Sequence, residues 1–313
     1  MEELLHEVLG GIYGPGLRIE GLRRDGAGAS RLTTAFDAVT GRGERHPLIL
    51  RRDTPGGAAT GNPLDVEAAL MRAAAGVGAP SPEVVAAGDD YIVMTRIEGE
   101  TIPRRILRSP ELAAARAGLA AECGEILAAI HRIPADSVPG LSSEDQFDLW
   151  ELILDGFPDP YPALELALRR LRLTRPAPSA TTVVHGDFRN GNLIIGPDGV
   201  RAVLDWELSH IGDPLEDLGW LCATPWRFGS PLPVGGFGGY DELVAAYERA
   251  SGVKVDREAL RWWELYGVLR WGVICVVQTS RHLTGGERSV ELAALGRRVA
   301  ETEYDLLTAL SEA

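Results

Sequence analysis

Two short polar segments, separated by a predicted β-hairpin, constrain this sequence more than any other feature. The first reads HGDFRNGN at residues 185–192, and the second reads LDWE at residues 204–207. The chain that joins them, NLIIGPDGVRAVLD, has the apolar and β-branched residues of two short strands, with a turn at Gly196–Gly199. Because a hairpin returns the chain to its starting point, its two ends lie together. The sequence therefore predicts that the two polar segments form one site.

The side chains of these segments are the ones that phosphoryl transfer requires. In that reaction the protein aligns an acceptor hydroxyl, holds Mg²⁺ on the phosphates and neutralises charge. Mg²⁺ takes hard oxygen ligands, often only one or two of them from the protein. We expect Asp187 to orient the hydroxyl and accept its proton, and Asn192 and Asp205 to hold the metal. Arg189 is expected to neutralise charge on the transferred phosphate; the alternative is that it pairs with a surface carboxylate.

The spacing of these residues resembles that of a known enzyme family. His185, Asp187 and Asn192 fit the kinase catalytic-loop pattern H-x-D-x-x-x-x-N, and Asp205 follows where kinases carry a metal-binding aspartate. The longer form, HGDFRNGNLII…VLDWELSHIGDPLEDLGWL, resembles the aminoglycoside phosphotransferase and choline-kinase-like superfamily. It is most similar to the branch related to the kinase domain of acyl-CoA dehydrogenase fusion proteins.

The resemblance implies an α+β, bilobal, protein-kinase-like fold, and the residue patterns agree with it. The first hundred residues have the patterns of several strands and one helix, over residues 63–76. The later chain is mostly helical, with a long Ala- and Leu-rich helix predicted over residues 111–133. We expect an N-terminal nucleotide-binding lobe at residues 1–95 and a C-terminal catalytic and substrate-binding lobe at residues 96–313.

The resemblance also implies that ATP binds between the lobes, under a small-residue loop. The segment GAGAS at residues 26–30 resembles the loop that covers the nucleotide, which would place Gly28 and Ser30 beside the phosphates. The family usually has asparagine after this serine, whereas this sequence has Arg31. The contacts of the loop in this chain are therefore open.

Further nucleotide contacts are implied on the strands that follow. Arg51 stands where kinases place a phosphate-binding lysine, and strand alternation puts it on the same face as Ile49, opposite the neighbouring leucines. Glu67, on the helix of this lobe, is the expected carboxylate partner of Arg51; the alternative is an exposed ion pair without a role in binding. Adenine would pair with the backbone near Thr95 and Ile97.

Other polar residues of the helical region have predicted structural roles. Asp213 and Glu216 have the spacing of a helix N-cap and its capping-box partner. Asp217 is expected to brace the catalytic loop, and His185 to hold the backbone of that loop. His131, at the end of a long helix, is predicted to be packed and hydrogen-bonded.

Composition excludes several other classes of function. The net charge is −14 and the sequence pI about 4.9, which argues against a nucleic-acid partner because phosphate binding requires a basic face. The longest apolar run near the C-terminus, GVICVV, is far shorter than the roughly 20 residues of a membrane span. The three cysteines have neither a metal-binding spacing nor an even number for disulfides, and they indicate a reducing compartment. We expect a cytoplasmic protein.

These observations predict an ATP- and Mg²⁺-dependent O-phosphotransferase that acts on a small-molecule hydroxyl. The expected acceptor is an aminoglycoside-like amino sugar or polyol, and the alternative is a hydroxyacyl-CoA. A hypothesis of another class is a catalytically inactive, nucleotide-binding pseudokinase. The presence of Asp187, Asn192 and Asp205 argues against that hypothesis.

Overall fold

The computed structural model of the chain describes residues 1–24, 31–53, 61–286 and 288–312. The chain has a sheet-containing N-terminal lobe and a larger helical C-terminal lobe, which confirms the predicted fold class.

The N-terminal lobe is built on a five-stranded antiparallel sheet with the strand order β1-β2-β3-β5-β4. Two helices accompany it rather than the single helix predicted, because helix α1 precedes the first strand. Leu5 and Leu9, one turn apart on α1, are fully buried against sheet residues such as Phe36. The elements are α1 (Glu2–Tyr13), β1 (Arg18–Arg24), β2 (Arg31–Val39), β3 (Arg45–Asp53), α2 (Leu64–Gly76), β4 (Val84–Gly88) and β5 (Tyr91–Thr95).

Strand β3 presents different residues to the two sides of the sheet, as its alternation predicts. Leu48 and Leu50 are buried in the apolar cluster beneath α1. Ile49 packs against the main core, and Arg51 reaches the carboxylate of Glu67 on α2. The sheet therefore carries a cation on the face that borders the C-terminal lobe.

The chain leaves the sheet at Thr95 and enters the C-terminal lobe through an irregular segment. Gly99 lies tightly against that lobe, since a Cβ atom there would come within 2.5 Å of the Ile194 side chain. Glu100 pairs with Ile195 through backbone hydrogen bonds of 2.8 and 2.9 Å. The division at residues 95 and 96 stays a prediction.

The C-terminal lobe is mainly helical, and its predicted first long helix is interrupted. A 3₁₀ turn at Pro110–Leu112 and the short α4 precede α5, with a break at residues 117–118. Gly118, a poor helix former, lies at the break, and the Arg116 side chain folds back onto the carbonyls of Ile106 and Ser109. The helices before the central strands are α3 (Pro103–Arg108), α4 (Ala113–Arg116), α5 (Leu119–Ile130), α6 (Gln146–Asp155) and α7 (Pro162–Leu173).

Two small antiparallel strand pairs interrupt the helices and carry the polar segments. The first pair is formed by β6 (Thr182–Val184) and β9 (His210–Gly212), and the second by β7 (Leu193–Gly196) and β8 (Gly199–Val203). The β7–β8 pair is the predicted hairpin. Four helices follow: α8 (Leu215–Cys222), α9 (Tyr240–Ser251), α10 (Arg257–Leu283) and α11 (Val290–Glu312). Among the helices of the described ranges, none combines the length and the apolarity needed to cross a membrane.

Candidate active site

The predicted hairpin brings the two polar segments together. The Leu204 N–H donates to the Asn192 carbonyl oxygen at 2.8 Å, so Asn192 precedes β7 at the same end where Asp205 follows β8. Asp205 has a left-handed backbone conformation, with φ 69° and ψ 60°. Such a conformation is uncommon outside glycine and is often found at functional sites.

The carboxylate of Asp187 is held by three hydrogen-bond donors. Its Oδ1 accepts from Trp220 Nε1 at 2.8 Å and from Arg189 Nε at 3.1 Å. Its Oδ2 accepts from Asn192 Nδ2 at 2.6 Å. The side chain is 15% exposed and lies at the wall of a cleft between the lobes. Asp187 is thus oriented by the protein and still reachable from the cleft.

The amide of Asn192 is turned so that its oxygen stays available. Its Nδ2 donates to the carboxylate and to the carbonyl oxygen of Asp187, and its Oδ1 has no hydrogen bond from any described residue. Asp205 is 38% exposed at the same cleft. The described ranges hold no cluster of three or more histidine, cysteine or acidic residues suited to a metal. One amide oxygen and one carboxylate fit Mg²⁺, which takes its remaining ligands from phosphates and water.

Arg51 links the two lobes at the back of the cleft. One terminal nitrogen lies 3.1 Å from Glu67 Oε2, and the other lies 3.0 Å from Asp205 Oδ1. Glu67 is fully buried, and Arg51 is only 12% exposed. The expected Arg51–Glu67 pair is therefore present and buried, which contradicts the alternative of an exposed pair.

Glu67 has a second arginine partner, Arg31. Arg31 is buried, pairs with the other oxygen of Glu67, and donates to Asp53 at 3.0 Å and to the Asn62 carbonyl at 2.5 Å. Burial lowers the pKa of Arg31, and the nearby charge of Arg51 lowers it further. Arg31, the residue that departs from the family pattern, is thus part of a buried network beside Arg51 and Glu67.

A buried network supports the catalytic loop from below, as predicted for Asp217. The carboxylate of Asp217 accepts from the backbone N–H groups of His185 at 2.7 Å and Gly186 at 2.9 Å. His131 lies 3.1 Å from the same carboxylate and 3.0 Å from the Tyr247 hydroxyl. The predicted role of Asp217 and the predicted packing of His131 are both confirmed.

His185 holds the loop backbone, as expected. Its Nδ1 accepts from the Asp187 N–H at 3.1 Å, so its Nε2 carries the hydrogen that donates to the Leu204 carbonyl at 3.1 Å. Burial lowers the pKa of His185, although the charges of Asp217 and Asp187 oppose that effect. A neutral imidazole is required for this pair of bonds.

Within the described ranges, Arg189 pairs with no surface carboxylate. Its guanidinium lies 4.4 Å from the centre of the Trp226 ring, and its Nε donates to Asp187. Neither terminal nitrogen of Arg189 is hydrogen-bonded to any residue within the described ranges. Both therefore remain available to a ligand in the cleft.

The cleft between the lobes has a volume of about 1130 Å³ and includes the segment expected to pair with adenine. Thr95 and Ile97 both line it. The Thr95 N–H already donates to the Glu83 carbonyl at 2.9 Å, whereas the Ile97 N–H has no backbone partner among the described residues. Gly28 and Ser30 lie outside the described residues.

One predicted cap differs from the structure. Asp213 does accept from the Leu215 N–H at 2.9 Å at the start of α8. Glu216 was expected to complete a capping box, and this prediction is wrong. Its carboxylate instead lies 3.1 Å from His210 Nε2 and 3.3 Å from the Arg270 guanidinium, since Glu216 faces the core rather than the helix start.

Three residues of the site were not found from the sequence. Trp220 donates to Asp187 from α8, and Arg31 pairs with Glu67 from β2. Asn62 joins the lobes, because its Nδ2 donates to the Ser209 carbonyl at 2.8 Å and its backbone N–H donates to the Glu207 carbonyl at 2.6 Å. The spacing of Trp220 in DLGWL was visible within the family motif, but nothing local indicated its partner.

A row of three tryptophans begins beside Asp187 at the cleft. Trp220, Trp226 and Trp271 pack edge to face in series, with ring centres 5.0 and 4.8 Å apart. The wall continues along α10 and α11 with further lining residues, namely Ile274, Gln278, Ser289, Glu291, Leu292 and Leu295. We call the three tryptophans and these six residues the acceptor wall.

Residues 21–263 match the phosphotransferase enzyme family. The chain belongs to this family. That membership confirms the predicted class of enzyme, a small-molecule phosphotransferase, and the predicted resemblance.

Two curated relatives agree with this membership. The chain is 28% identical over 290 residues to acyl-CoA dehydrogenase family member 10 of Mus musculus, covering 83% of this chain and 27% of that protein. It is 32% identical over 200 residues to viomycin phosphotransferase of Streptomyces vinaceus, covering 56% of this chain and 68% of that protein.

The chain spans 27% to 41% of the length of the acyl-CoA dehydrogenase family members 10 and 11 that it matches over most of its own length. Solved structures share the fold. A Ralstonia eutropha protein assigned to the aminoglycoside phosphotransferases has a TM-score of 0.70 at 22% identity, covering 96% of this chain and 94% of that one. Spectinomycin phosphotransferase, determined with ADP and spectinomycin, has a TM-score of 0.65 at 14% identity, covering 97% and 96%.

Proposed function

We propose that the chain transfers the γ-phosphoryl group of ATP to a hydroxyl of a small molecule. The observation that carries this proposal is that Asp187 and the Arg51–Asp205 pair line one cleft between the lobes. A proton acceptor for the hydroxyl and charged groups for the phosphates thus face the same space. A solved structure of the same fold that contains ADP supports a nucleotide in this cleft.

The nucleotide would lie against the sheet. We propose that Arg51, held by Glu67, binds phosphate oxygens and that the backbone near Thr95 and Ile97 pairs with adenine. The unoccupied N–H of Ile97 suits that role. Gly28 and Ser30 are proposed to cover the phosphates, on the resemblance alone.

Mg²⁺ is the proposed cofactor, with Asn192 and Asp205 as its protein ligands. When bound, the ion would screen the phosphate charges and fix their orientation. The free amide oxygen of Asn192 and the exposed carboxylate of Asp205 fit that task. Arg51 would share the Asp205 carboxylate with the ion, because its guanidinium already pairs with Oδ1.

Asp187 is the proposed general base. As the acceptor oxygen bonds to the γ-phosphorus, its O–H bond breaks and the proton passes to the Asp187 carboxylate. The bond between the γ-phosphorus and its bridging oxygen breaks, and ADP leaves with the electron pair. Arg189 is proposed to stabilise the charge that spreads over the γ-phosphoryl oxygens, since its terminal nitrogens are free beside Asp187.

The composition of the acceptor wall supports one of the two predicted classes of acceptor. An amino sugar with several ammonium groups requires several carboxylates. Glu291 is the one acidic residue among the nine described residues of the acceptor wall, and Glu98 and Glu207 line other parts of the cleft. The tryptophans beside Asp187 instead suit an acceptor whose hydroxyl is attached to an apolar body. The wall therefore favours the hydroxyacyl alternative over a polycationic aminoglycoside.

An ADP-release assay with Mg²⁺ and ATP tests the proposal over a panel of acceptors. The panel contains aminoglycosides, viomycin, macrolides, choline, sugars and hydroxyacyl-CoAs, and each reaction has an Asp187→Asn control for hydrolysis by water. We expect ADP release that depends on one acceptor class, with hydroxyacyl compounds ahead of aminoglycosides. ATP binding without acceptor-dependent ADP release from any of them would support the pseudokinase hypothesis instead.

A further inference from the structure

The indole of Trp220 holds the carboxylate that we propose as the base. Trp220 Nε1 lies 2.8 Å from Asp187 Oδ1, and Arg189 Nε lies 3.1 Å from the same oxygen. Among the described residues, only Asn192 donates to Oδ2. The two oxygens of the carboxylate are therefore not equivalent.

Counting lone pairs assigns different tasks to the two oxygens. Each carboxylate oxygen can accept about two hydrogen bonds in its plane. Oδ1 has both positions filled by Trp220 and Arg189, whereas Oδ2 has one filled position. The free lone pair of Asp187 is consequently on Oδ2.

Trp220 lines the cleft, but almost all of its side chain is buried in the core. It is 2% exposed, and the Arg270 guanidinium lies 4.5 Å from the centre of its ring. Arg270 is itself buried and lies 3.3 Å from Glu216. Since an indole N–H can donate but cannot accept or titrate, this contact stays the same when the base gains a proton.

We propose that Trp220 is a positioning residue for Asp187. Its N–H occupies Oδ1 and fixes the rotation of the carboxylate, so that Oδ2 receives the proton of the acceptor hydroxyl. This inference rests on the proposed role of Asp187. It adds a residue outside the catalytic loop and names the oxygen that takes the proton.

Replacing Trp220 with phenylalanine removes the N–H and keeps most of the aromatic contact with Trp226 and Arg270. A carboxylate that has lost this donor can rotate away from the reactive geometry, and misplacement on that scale costs roughly 10- to 100-fold in rate. We expect kcat of Trp220→Phe to fall by that factor, with the Kd for ATP within about threefold of the wild-type value.

The matched control is Trp262→Phe. Trp262 is buried in the same lobe, outside the residues that line the cleft, and donates from Nε1 to the Leu171 carbonyl at 3.0 Å. The same substitution there removes an indole hydrogen bond of similar length. We expect that variant to lose stability without a loss in kcat.

A double-mutant cycle with Asp187→Asn separates positioning from packing. If Trp220 acts through Asp187, adding Trp220→Phe to Asp187→Asn causes no further loss in kcat. A loss of the same factor in both backgrounds, or a kcat of Trp220→Phe equal to that of Trp262→Phe, would overturn the positioning role. Turnover of Asp187→Asn at the wild-type rate would instead overturn the proposed function.

If Trp220→Phe does not fold, a second substitution tests whether the indole N–H positions Asp187. Benzothienylalanine at position 220 replaces the N–H with sulfur and preserves the shape of the indole. The same fall in kcat is expected from this substitution. An unchanged kcat would show that the ring and not its N–H is what the site needs, and would contradict the inference.

Discussion

Arg51 of the sheet and Asp205 of the helical lobe form an ion pair with an N–O distance of 3.0 Å across the base of the cleft. The other half of the same guanidinium lies 3.1 Å from Glu67. One planar side chain therefore connects the helix of the N-terminal lobe, the sheet and the proposed metal ligand. Because Asp205 also has a left-handed backbone, its carboxylate position is set by both the chain and its partner.

The metal role of Asp205 is tested by Asp205→Asn. Asparagine tolerates the left-handed conformation and keeps the side-chain length, so the charge is the main change. We expect Mg²⁺ to increase the ATP affinity of the wild type and to leave that of the variant unchanged, as measured by calorimetry with and without chelator. Asp198→Asn, at the tip of the β7–β8 hairpin, serves as the control. An undiminished Mg²⁺ effect in Asp205→Asn would exclude Asp205 as a ligand.

Arg189→Ala tests charge stabilisation in the transition state. If the free terminal nitrogens meet the transferring phosphate, kcat and kcat/KM should fall together by roughly 10²–10³, with little change in the Kd for ATP. Arg201→Ala, which removes a surface pair with Asp198, is the comparison and should turn over normally. A folded Arg189→Ala protein with the wild-type rate would remove Arg189 from the mechanism.

Asp217→Ala is expected to destabilise the fold. The substitution leaves the buried N–H groups of His185 and Gly186 and the His131 ring without their acceptor. Removing one partner of a buried charged network costs about 3–5 kcal/mol in the free energy of unfolding. Denaturant titration measures this loss, with the exposed Asp198→Ala as reference. A loss of less than about 1 kcal/mol would contradict the bracing role.

The hairpin and the loop contacts could be predicted from the sequence because they depend on neighbouring chain. The spacing from His185 to Asn192 and the turn at Gly196–Gly199 fix the geometry within about twenty residues. The Arg51–Glu67 pair followed from strand alternation and the resemblance to kinases. Arg51 and Glu67 lie on β3 and on α2, the next helix, so their contact depends only on elements that are adjacent in the sequence.

Other contacts depend on how elements that are far apart in the sequence pack together. The sequence pattern does not predict these contacts. Trp220 and Asp187 are 33 residues apart, and their contact depends on where α8 docks below the loop. The sequence left the contacts of Arg31 open, and the structure places it in a buried pair with Glu67. Glu216 matched a capping spacing, but the approach of Arg270 from α10 gave its carboxylate a different partner.

The stability of the protein should fall as the solution becomes acidic, in part through His185. Burial lowers the pKa of His185 below its ordinary value of 6.5, against the opposing charges of Asp217, Asp187 and Asp205. Above pH 6.5 the His185 imidazole is neutral in both the folded and the unfolded protein. Between pH 6.5 and the lowered pKa, the imidazole takes up a proton in the unfolded chain but not in the folded protein. The contribution of His185 to the free energy of unfolding is therefore fully present above about pH 6.5. It is lost as the pH falls toward the lowered pKa, by at most about 1.4 kcal/mol per pH unit.

Unfolding by denaturant between pH 8 and pH 5 measures this effect. His185→Asn keeps a polar side chain but does not titrate, so its free energy of unfolding should decline less steeply below pH 6.5 than that of the wild type. His6→Gln, at an exposed position of α1, controls for the removal of a histidine. Equal slopes for the wild type and His185→Asn would show that His185 does not carry the effect.

The most direct test of the account is the turnover of Asp187→Asn with the acceptor that the panel identifies. Asparagine preserves the size of the side chain and removes the proton-accepting charge, while Arg51 and Asp205, the proposed nucleotide and metal ligands, are unchanged. We predict a fall in kcat of about 10²–10⁴ with a Kd for ATP within about threefold of the wild-type value. A kcat within threefold of the wild type would contradict the assignment of Asp187 as the base of a small-molecule kinase.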